Sequence, residues 1–210
     1  MDKPWLKNYS YGVPHEIKKE RYSSVVELFD WSCSRYEKNI AYKFMGSSMT
    51  YREFAENSAL FCAALQNILG VKKGDRVAIM LPNCFQYPVA LYGILKAGGV
   101  VVNVNPMYTS SELVQQLNDA QAETLIVIEN FAHVVQEALP KTSVKNVVVT
   151  GIGDLLGFVK SKVVNLVVRH VKKMIPEWSI PGCYSYVDLL RKGKGLMCLP
   201  VALGSSDLAF

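Results

Sequence analysis

Residues 147–157, VVVTGIGDLLG, carry the spacing in this chain that comes nearest to ligand chemistry. An apolar run entering Gly151-x-Gly153 is how backbone N–H groups at a helix N-terminus approach a pyrophosphate, because glycine leaves room for the phosphate oxygens. The next glycine is out of register: Leu156 stands where G-x-G-x-x-G needs glycine, and Gly157 follows it. About twenty residues on, where an acid would hold a ribose, Lys172, Lys173 and Met174 stand in a basic segment. A plain strand-to-helix turn is the favoured reading, with dinucleotide binding as the alternative. His15, His133 and His170 are far apart and have no cysteine or carboxylate at ligand spacing, so no metal site is expected. The chain has neither a G-x-S-x-G elbow nor a G-x-x-x-x-G-K-[ST] loop, which removes the usual signatures of acyl hydrolases and P-loop enzymes. No catalytic, cofactor-binding or metal-binding residue is nominated.

A second stretch, DLLGFVKSKVVNLVVRHVKKMIPEW at 154–178, has the pattern of surface chemistry. On a helical wheel Leu155, Leu156, Val159, Val163, Val164, Val167, Val168, Val171, Met174 and Ile175 form a broad apolar side. Ser161, Lys162, Asn165, Arg169 and Lys172 gather opposite, with Lys160, His170 and Lys173 at the border and no acid between Asp154 and Glu177. A helix of this kind can lie in an anionic membrane interface, where each basic residue contributes about 1 kcal/mol. On that reading Lys160, Lys162, Arg169, Lys172 and Lys173 are the membrane-surface residues. The other reading is a core helix whose solvent side happens to be basic.

These features need a scaffold, and the composition supplies one. The chain has 210 residues, half of them apolar and a fifth charged, with a formal charge of +5. That is long enough for one substantial core and far from the composition of disordered chains. Five cysteines, at 33, 62, 84, 183 and 198, form no C-x-x-C. With no secretory leader and an odd count, free thiols in a reducing compartment are expected. No run of roughly eighteen apolar residues is present to span a bilayer. The location expected is cytoplasmic, with peripheral contact at the inner face of the cell membrane.

Residues 1–22, rich in Pro, Gly, Tyr and Lys, are expected as an extended arm, and residues 23–210 as one α/β unit. SSVVELFDWSCSRYEKN predicts a helix capped by Ser23 or Ser24, with Val25, Leu28, Phe29, Ser32 and Tyr36 on one face. A hairpin about Gly46 and an amphipathic helix ended by Gly70 follow. Apolar runs of strand length then start at 76, 100, 125 and 147, with helical spacing between them. Intervals of about two dozen residues fit β-α units, and β-branched runs without polar alternation fit strands covered on both faces. The fold expected is α/β, a doubly wound and mainly parallel sheet flanked by helices. Thr109 with Glu112 has the form of a capping box, and Pro88 is expected in the first turn of its helix.

KKGDRVAIMLPNCFQYPVALYGILKAGGVVVNVNPMYTSSELVQQLNDA, residues 72–120, resembles the adenylate-forming acyl-CoA synthetase family, and most of all its bacterial long-chain fatty-acid CoA ligases. MTYREF at 49–54 is similar to the family's first core motif and LKAGGVVVNVNP at 95–106 to its second. The likeness continues through NFAHVVQEAL to the final SSDLAF and covers essentially the whole chain. Ser110 and Ser111 depart from it, standing where relatives often carry a proline and a basic residue. The resemblance implies the N-terminal part of a fatty-acid CoA ligase that uses ATP, Mg2+ and CoA and passes through an acyl-adenylate. The family's Ser/Thr/Gly-rich phosphate loop, adenine and ribose contacts, hinge and catalytic lysine are expected beyond Phe210, so this chain alone is expected to be inactive. Partners expected are a long-chain fatty acid, ATP and CoA, a membrane surface and a second copy of the chain, with no nucleic acid. The alternative is a non-catalytic module that binds membranes or acyl chains through 154–175.

Overall fold

The computed structural model describes residues 3–16 and 21–210. Ser24 opens α1 (Val25–Arg35) by accepting from the Glu27 N–H, and the Glu27 carboxylate accepts in return from the Ser23 N–H and hydroxyl. β1 (Ile40–Phe44) and β2 (Ser47–Thr50) pair as an antiparallel hairpin through Met45 and Gly46, both at positive φ. Thr50 then starts α2 (Tyr51–Asn67) with a capping box: its hydroxyl accepts from the Glu53 N–H while Glu53 accepts from the Thr50 N–H.

The remaining strands are β3 (Arg76–Met80), β4 (Val100–Asn103), β5 (Thr124–Ile128), β6 (Asn146–Thr150) and β7 (Tyr184–Ser185). They form one parallel sheet in the order β4-β3-β5-β6-β7. Between them run α3 (Gln86–Lys96), α4 (Ser110–Asp119), α5 (Ala132–Ala138) and α6 (Phe158–Leu166), and α7 (Tyr186–Gly193) follows the last strand. Successive strand residues point to opposite faces, and the sheet has two cores accordingly. Val77, Ile79, Val101, Ile126 and Val148 pack with Phe61 of α2, Ile94 of α3 and Tyr186 of α7. Ala78, Met80, Leu125 and Val127 pack with Leu113 and Leu117 of α4 and Val135 of α5. Each fully buried Leu, Ile or Val contributes about 1.5–3 kcal/mol, so a one-residue slip of a strand would exchange its two faces and is strongly opposed. The expected doubly wound sheet, the hairpin, the Thr109–Glu112 capping box and Pro88 in the first turn of α3 are all present.

Four details differ from expectation. On α1 the buried residues are Phe29 and Cys33, while Val25, Leu28 and Tyr36 are exposed. Helical spacing defines several stripes, and the rings of Tyr92 and Phe54, with centroids 4.1 and 4.9 Å from that of Phe29, select the stripe that is covered. β7 and α7 have no counterpart in the reading of the sequence, because a two-residue strand carries no alternation to detect. Within the expected arm, Pro4–Asn8 form a turn of 3-10 helix, and residues 17–20 lie outside the described residues. The expected free thiols are corrected as well: Cys62 on α2 and Cys198 are joined as a disulfide, with Cα atoms 5.7 Å apart, leaving Cys33, Cys84 and Cys183 free. The two partners are 136 residues apart and meet only because the C-terminal segment lies along α2.

Candidate functional site

Open α/β sheets bind ligands outside the carboxyl ends of their strands, at the point where successive connections leave in opposite directions. Here the chain moves from β3 to β4 on one side and then crosses to β5 on the other, so that point lies between β3 and β5. Two cavities open along this edge. One of about 550 Å³ lies beyond β3 and is walled by aromatic side chains, among them Tyr42, Phe44, Phe85, Tyr87 and Tyr92, with Cys84 in its lining. Burial pushes the Cys84 thiol up to about 11 and the Tyr42 phenol up to about 12. At neutral pH Cys84 is therefore a protonated thiol and no nucleophile.

The second cavity, about 560 Å³, opens beyond β5 and β6 and is polar, with Glu129, Thr150, Asp154, Arg169, His170 and Asp188 in its wall. Its floor is the Gly151–Gly153 turn. The Asp154 carboxylate accepts from Thr150 Oγ1, the Gly151 N–H and Asn165 Nδ2, each at 2.8 Å. Asn165 Oδ1 accepts from the Gly153 N–H at 2.8 Å. A methyl group on Gly153 would stand 2.8 Å from Asn165 Oδ1, and one on Gly151 would stand 2.9 Å from the same side chain. These glycines thus make room for an asparagine from α6, and the N–H groups that a pyrophosphate would need already have acceptors. The turn is structural, and the dinucleotide alternative is set aside.

Gln86 links this turn to the rest of the edge and has no obvious signature in the sequence. Its amide Nε2 donates to the Gly151 carbonyl at 2.7 Å, and its own backbone carbonyl accepts from the buried Tyr186 hydroxyl at 3.3 Å. A glutamine in the first turn of a helix normally faces water; this one is buried because α3 starts beneath the end of β6. Among the described residues no three His, Cys, Asp or Glu side chains are grouped to hold a metal ion.

The five basic candidates are not brought together as one patch. Lys160 donates to the Met45 carbonyl of the hairpin, and Arg169 pairs with Glu129 in the polar cavity. Lys162 lies over the Phe158 ring, its Nζ 4.2 Å from the centroid, and Lys172 and Lys173 are exposed beyond the helix. The helix is also shorter than the sequence pattern suggests. Gly157 at φ +88 precedes it, a π-helical turn, Val167–Val171, closes it, and Lys173 at φ +49 leads the chain away. Its two sides divide otherwise than a wheel suggests: on the polar side Asn165 bonds to the Gly151–Gly153 turn and Arg169 to Glu129 while Lys162 and Lys172 are exposed, and on the apolar side Leu155, Leu156 and Val164 pack against the core while Val159 and Val163 are exposed. Hydrogen-bond partners in the cavity, absent from any helical wheel, decide this.

Residues 29–177 match the family described as AMP-binding enzymes. The chain belongs to that family. It is 47% identical over all 210 residues to the long-chain-fatty-acid–CoA ligase of Salmonella typhimurium, and 45% identical over the same length to that of Escherichia coli O157:H7. It spans only 37% of the length of each, in their N-terminal part. The fold is also that of a solved anthranilate CoA ligase in complex with anthranoyl-AMP. That likeness has a TM-score of 0.68 at 18% identity and covers 89% of this chain and 31% of the other. For a member of this family the core motifs can be placed: 49–54 cap and begin α2, and 95–106 run from the end of α3 through β4. Both are scaffold, and neither brings a reactive group to the carboxyl edge.

Proposed function

We propose that this chain is the N-terminal part of a long-chain fatty-acid CoA ligase and is inactive without the remainder of such an enzyme. The observation that carries this is the unbroken 47% identity along the whole chain to a ligase of which it spans little more than a third. In the proposed reaction the fatty-acid carboxylate attacks the α-phosphorus of ATP and releases pyrophosphate, and the CoA thiol then displaces AMP from the acyl-adenylate. The mixed anhydride turns an unreactive carboxylate into an acyl donor, since AMP leaves far more readily than hydroxide. The part played by residues 23–210 is the parallel sheet and its paired cores. Magnesium belongs to the same proposal, but no metal-ligating group of the described residues fits it, and the one glycine turn resembling a phosphate cradle is filled by Asn165. ATP and Mg2+ are therefore assigned to parts of a ligase outside this chain. The location proposed is cytoplasmic, the compartment that holds ATP and CoA.

Exchange of labelled pyrophosphate into ATP, driven by a series of fatty acids, tests this directly. The 210-residue chain is expected to show none, and a longer native polypeptide carrying it is expected to show exchange that rises with acyl-chain length. Exchange by the short chain would overturn its inactivity, and its absence from the longer one would overturn the ligase assignment.

A further inference from the structure

Cys62 and Cys198 are unequal partners. Cys62 is fully buried on α2, whereas Cys198 is half-buried in a surface segment. From 194 to 210 that segment is in neither helix nor strand. Met197 is 73% exposed, Leu199 51% and Leu208 70%. Apart from the sulfur bridge, α2 holds it through exposed hydrogen bonds between Gln66 or Asn67 and the backbone of Met197 and Leu199. Exposed bonds of this kind are readily replaced by bonds to water. The covalent bond therefore decides whether the segment stays on α2.

We propose that Cys62 and Cys198 form a reversible redox clasp, which fastens this segment to α2 under oxidising conditions and releases it under reducing ones. A permanent staple needs both thiols held together by the fold. Here one sits on a buried helix face and the other on a loosely held, accessible segment, and accessible disulfides are the ones that small thiols reduce. The Cα atoms are 5.7 Å apart, within the disulfide range, so closing asks no rearrangement of α2. Closing uses a low-molecular-weight disulfide such as glutathione disulfide. The Cys198 thiolate attacks it, releasing one glutathione thiol and leaving a mixed disulfide on Cys198. The Cys62 thiol gives up its proton, attacks the Cys198 sulfur and releases the second glutathione. Two cysteine thiols are oxidised, and one glutathione disulfide is reduced to two thiols. Opening is the reverse and begins at the Cys198 sulfur, because Cys62 is closed to solvent. Cys33 and Cys84 do not compete, since burial pushes both thiols up to about 11. The clasp also governs what the segment covers. The Ala209 carbonyl accepts from the Val101 N–H at the β4 edge, at 2.9 Å. Leu203 and Leu208 line a cavity of about 300 Å³ with Val25 and Leu28 of α1. The inference stands on this pair alone and does not need the ligase reaction.

Thiol labelling and amide exchange test it, on the 210-residue chain and any longer native polypeptide that carries it. Each is equilibrated in glutathione buffers, denatured and treated with a maleimide, and the adducts are located by peptide mass. At high glutathione disulfide Cys33, Cys84 and Cys183 should be labelled while Cys62 and Cys198 are not. At high reduced glutathione Cys62 and Cys198 should be labelled as well, and returning the protein to the first buffer should restore the bond. The Leu199 and Val101 N–H groups donate to Gln66 Oε1 and the Ala209 carbonyl. Both should exchange with deuterium at least about tenfold faster in the reduced protein, as expected of a locally released segment. Unchanged far-ultraviolet circular dichroism separates this release from loss of the fold. Cys198→Ser and, as a second variant, Cys62→Ala should exchange at the fast rate in both buffers. A bond that persists in reduced glutathione would make the pair a permanent staple and overturn the proposal. Labelling of both cysteines in every buffer, or equal exchange of Leu199 and Val101 in the two states, would overturn it as well. So would a 62–198 bond found in the short chain but not the longer one, or a disulfide-linked dimer in its place.

Discussion

Asn165 gives Gly151 and Gly153 their purpose. Its amide occupies the space a phosphate would take, and it satisfies both the Gly153 N–H and the Asp154 carboxylate. Gly153→Ala would put a methyl group 2.8 Å from Asn165 Oδ1 and 3.0 Å from the Ser161 carbonyl, neither of which can retreat without breaking a bond. The expected loss is about 1–3 kcal/mol of stability, the range for overpacking a close-fitted site. Urea denaturation measures it, and a variant as stable as the parent would mean that α6 does not sit on the turn. The spacing at 151–157 was legible in the sequence, but what filled it was not, since Asn165 is one of many polar residues on a helix and nothing local shows that it turns inward.

Three helices of this domain, α1, α2 and α4, start with a hydroxyl-bearing cap whose partner is a glutamate three residues on. Hydrogen bonds from the Thr109 backbone and side chain hold the Glu112 carboxyl below its ordinary 4.5, and the Ser23 hydroxyl and N–H do the same for Glu27. A carboxylate depressed in the folded state contributes its full stabilisation above the unfolded value and loses it as pH falls through the folded value. Stability should therefore decline below about pH 4.5 as these caps protonate. Glu112→Gln should flatten part of that decline in a series of denaturant melts, while Thr109→Ala should cost about 1 kcal/mol at neutral pH. A pH profile unchanged by Glu112→Gln would show that the carboxylate makes no cap in solution. Such caps are local chemistry and can be read from sequence. The anchoring of α6 could not be read this way, because its partners, Glu129 and Met45, lie in other elements.

On the scale of the molecule, the C-terminal segment closes the structure by running back along α2 to the sheet edge. Gln66 exchanges two bonds with Leu199, at 3.0 and 2.8 Å, and Asn67 donates to the Met197 carbonyl at 3.1 Å. Lys73 reaches the Ala202 carbonyl at 2.7 Å and pairs with Asp207, and the Ala209 carbonyl accepts from the Val101 N–H beside β4. The β4 edge of the sheet is thus partly covered, which reduces its capacity to pair with other chains. The Cys62–Cys198 bond closes a loop of 136 residues around this arrangement. Chain-entropy reasoning gives it about 5 kcal/mol. Cys198→Ser should lower stability by an amount of that order in oxidising buffer and by little in excess thiol. Equal melting of variant and parent in oxidising buffer would mean that the two sulfurs are not joined.

By itself the sequence determined the family, the parallel α/β class, four of the five sheet strands, the hairpin and the caps of α1 and α4. The family rests on resemblance; each of the others rests on interactions within one element or between neighbours in the chain: β-branched runs, helical period, turn residues and caps. The tertiary structure alone decided that Gly151 and Gly153 receive Asn165, that Val159 and Val163 of α6 face solvent, that Gln86 is buried, and that Cys62 meets Cys198. All four depend on which distant segments come into contact. Periodicity names the faces of a helix but not the face that finds partners, and hydrogen-bond acceptors supplied by other elements can outweigh the burial of a few valines.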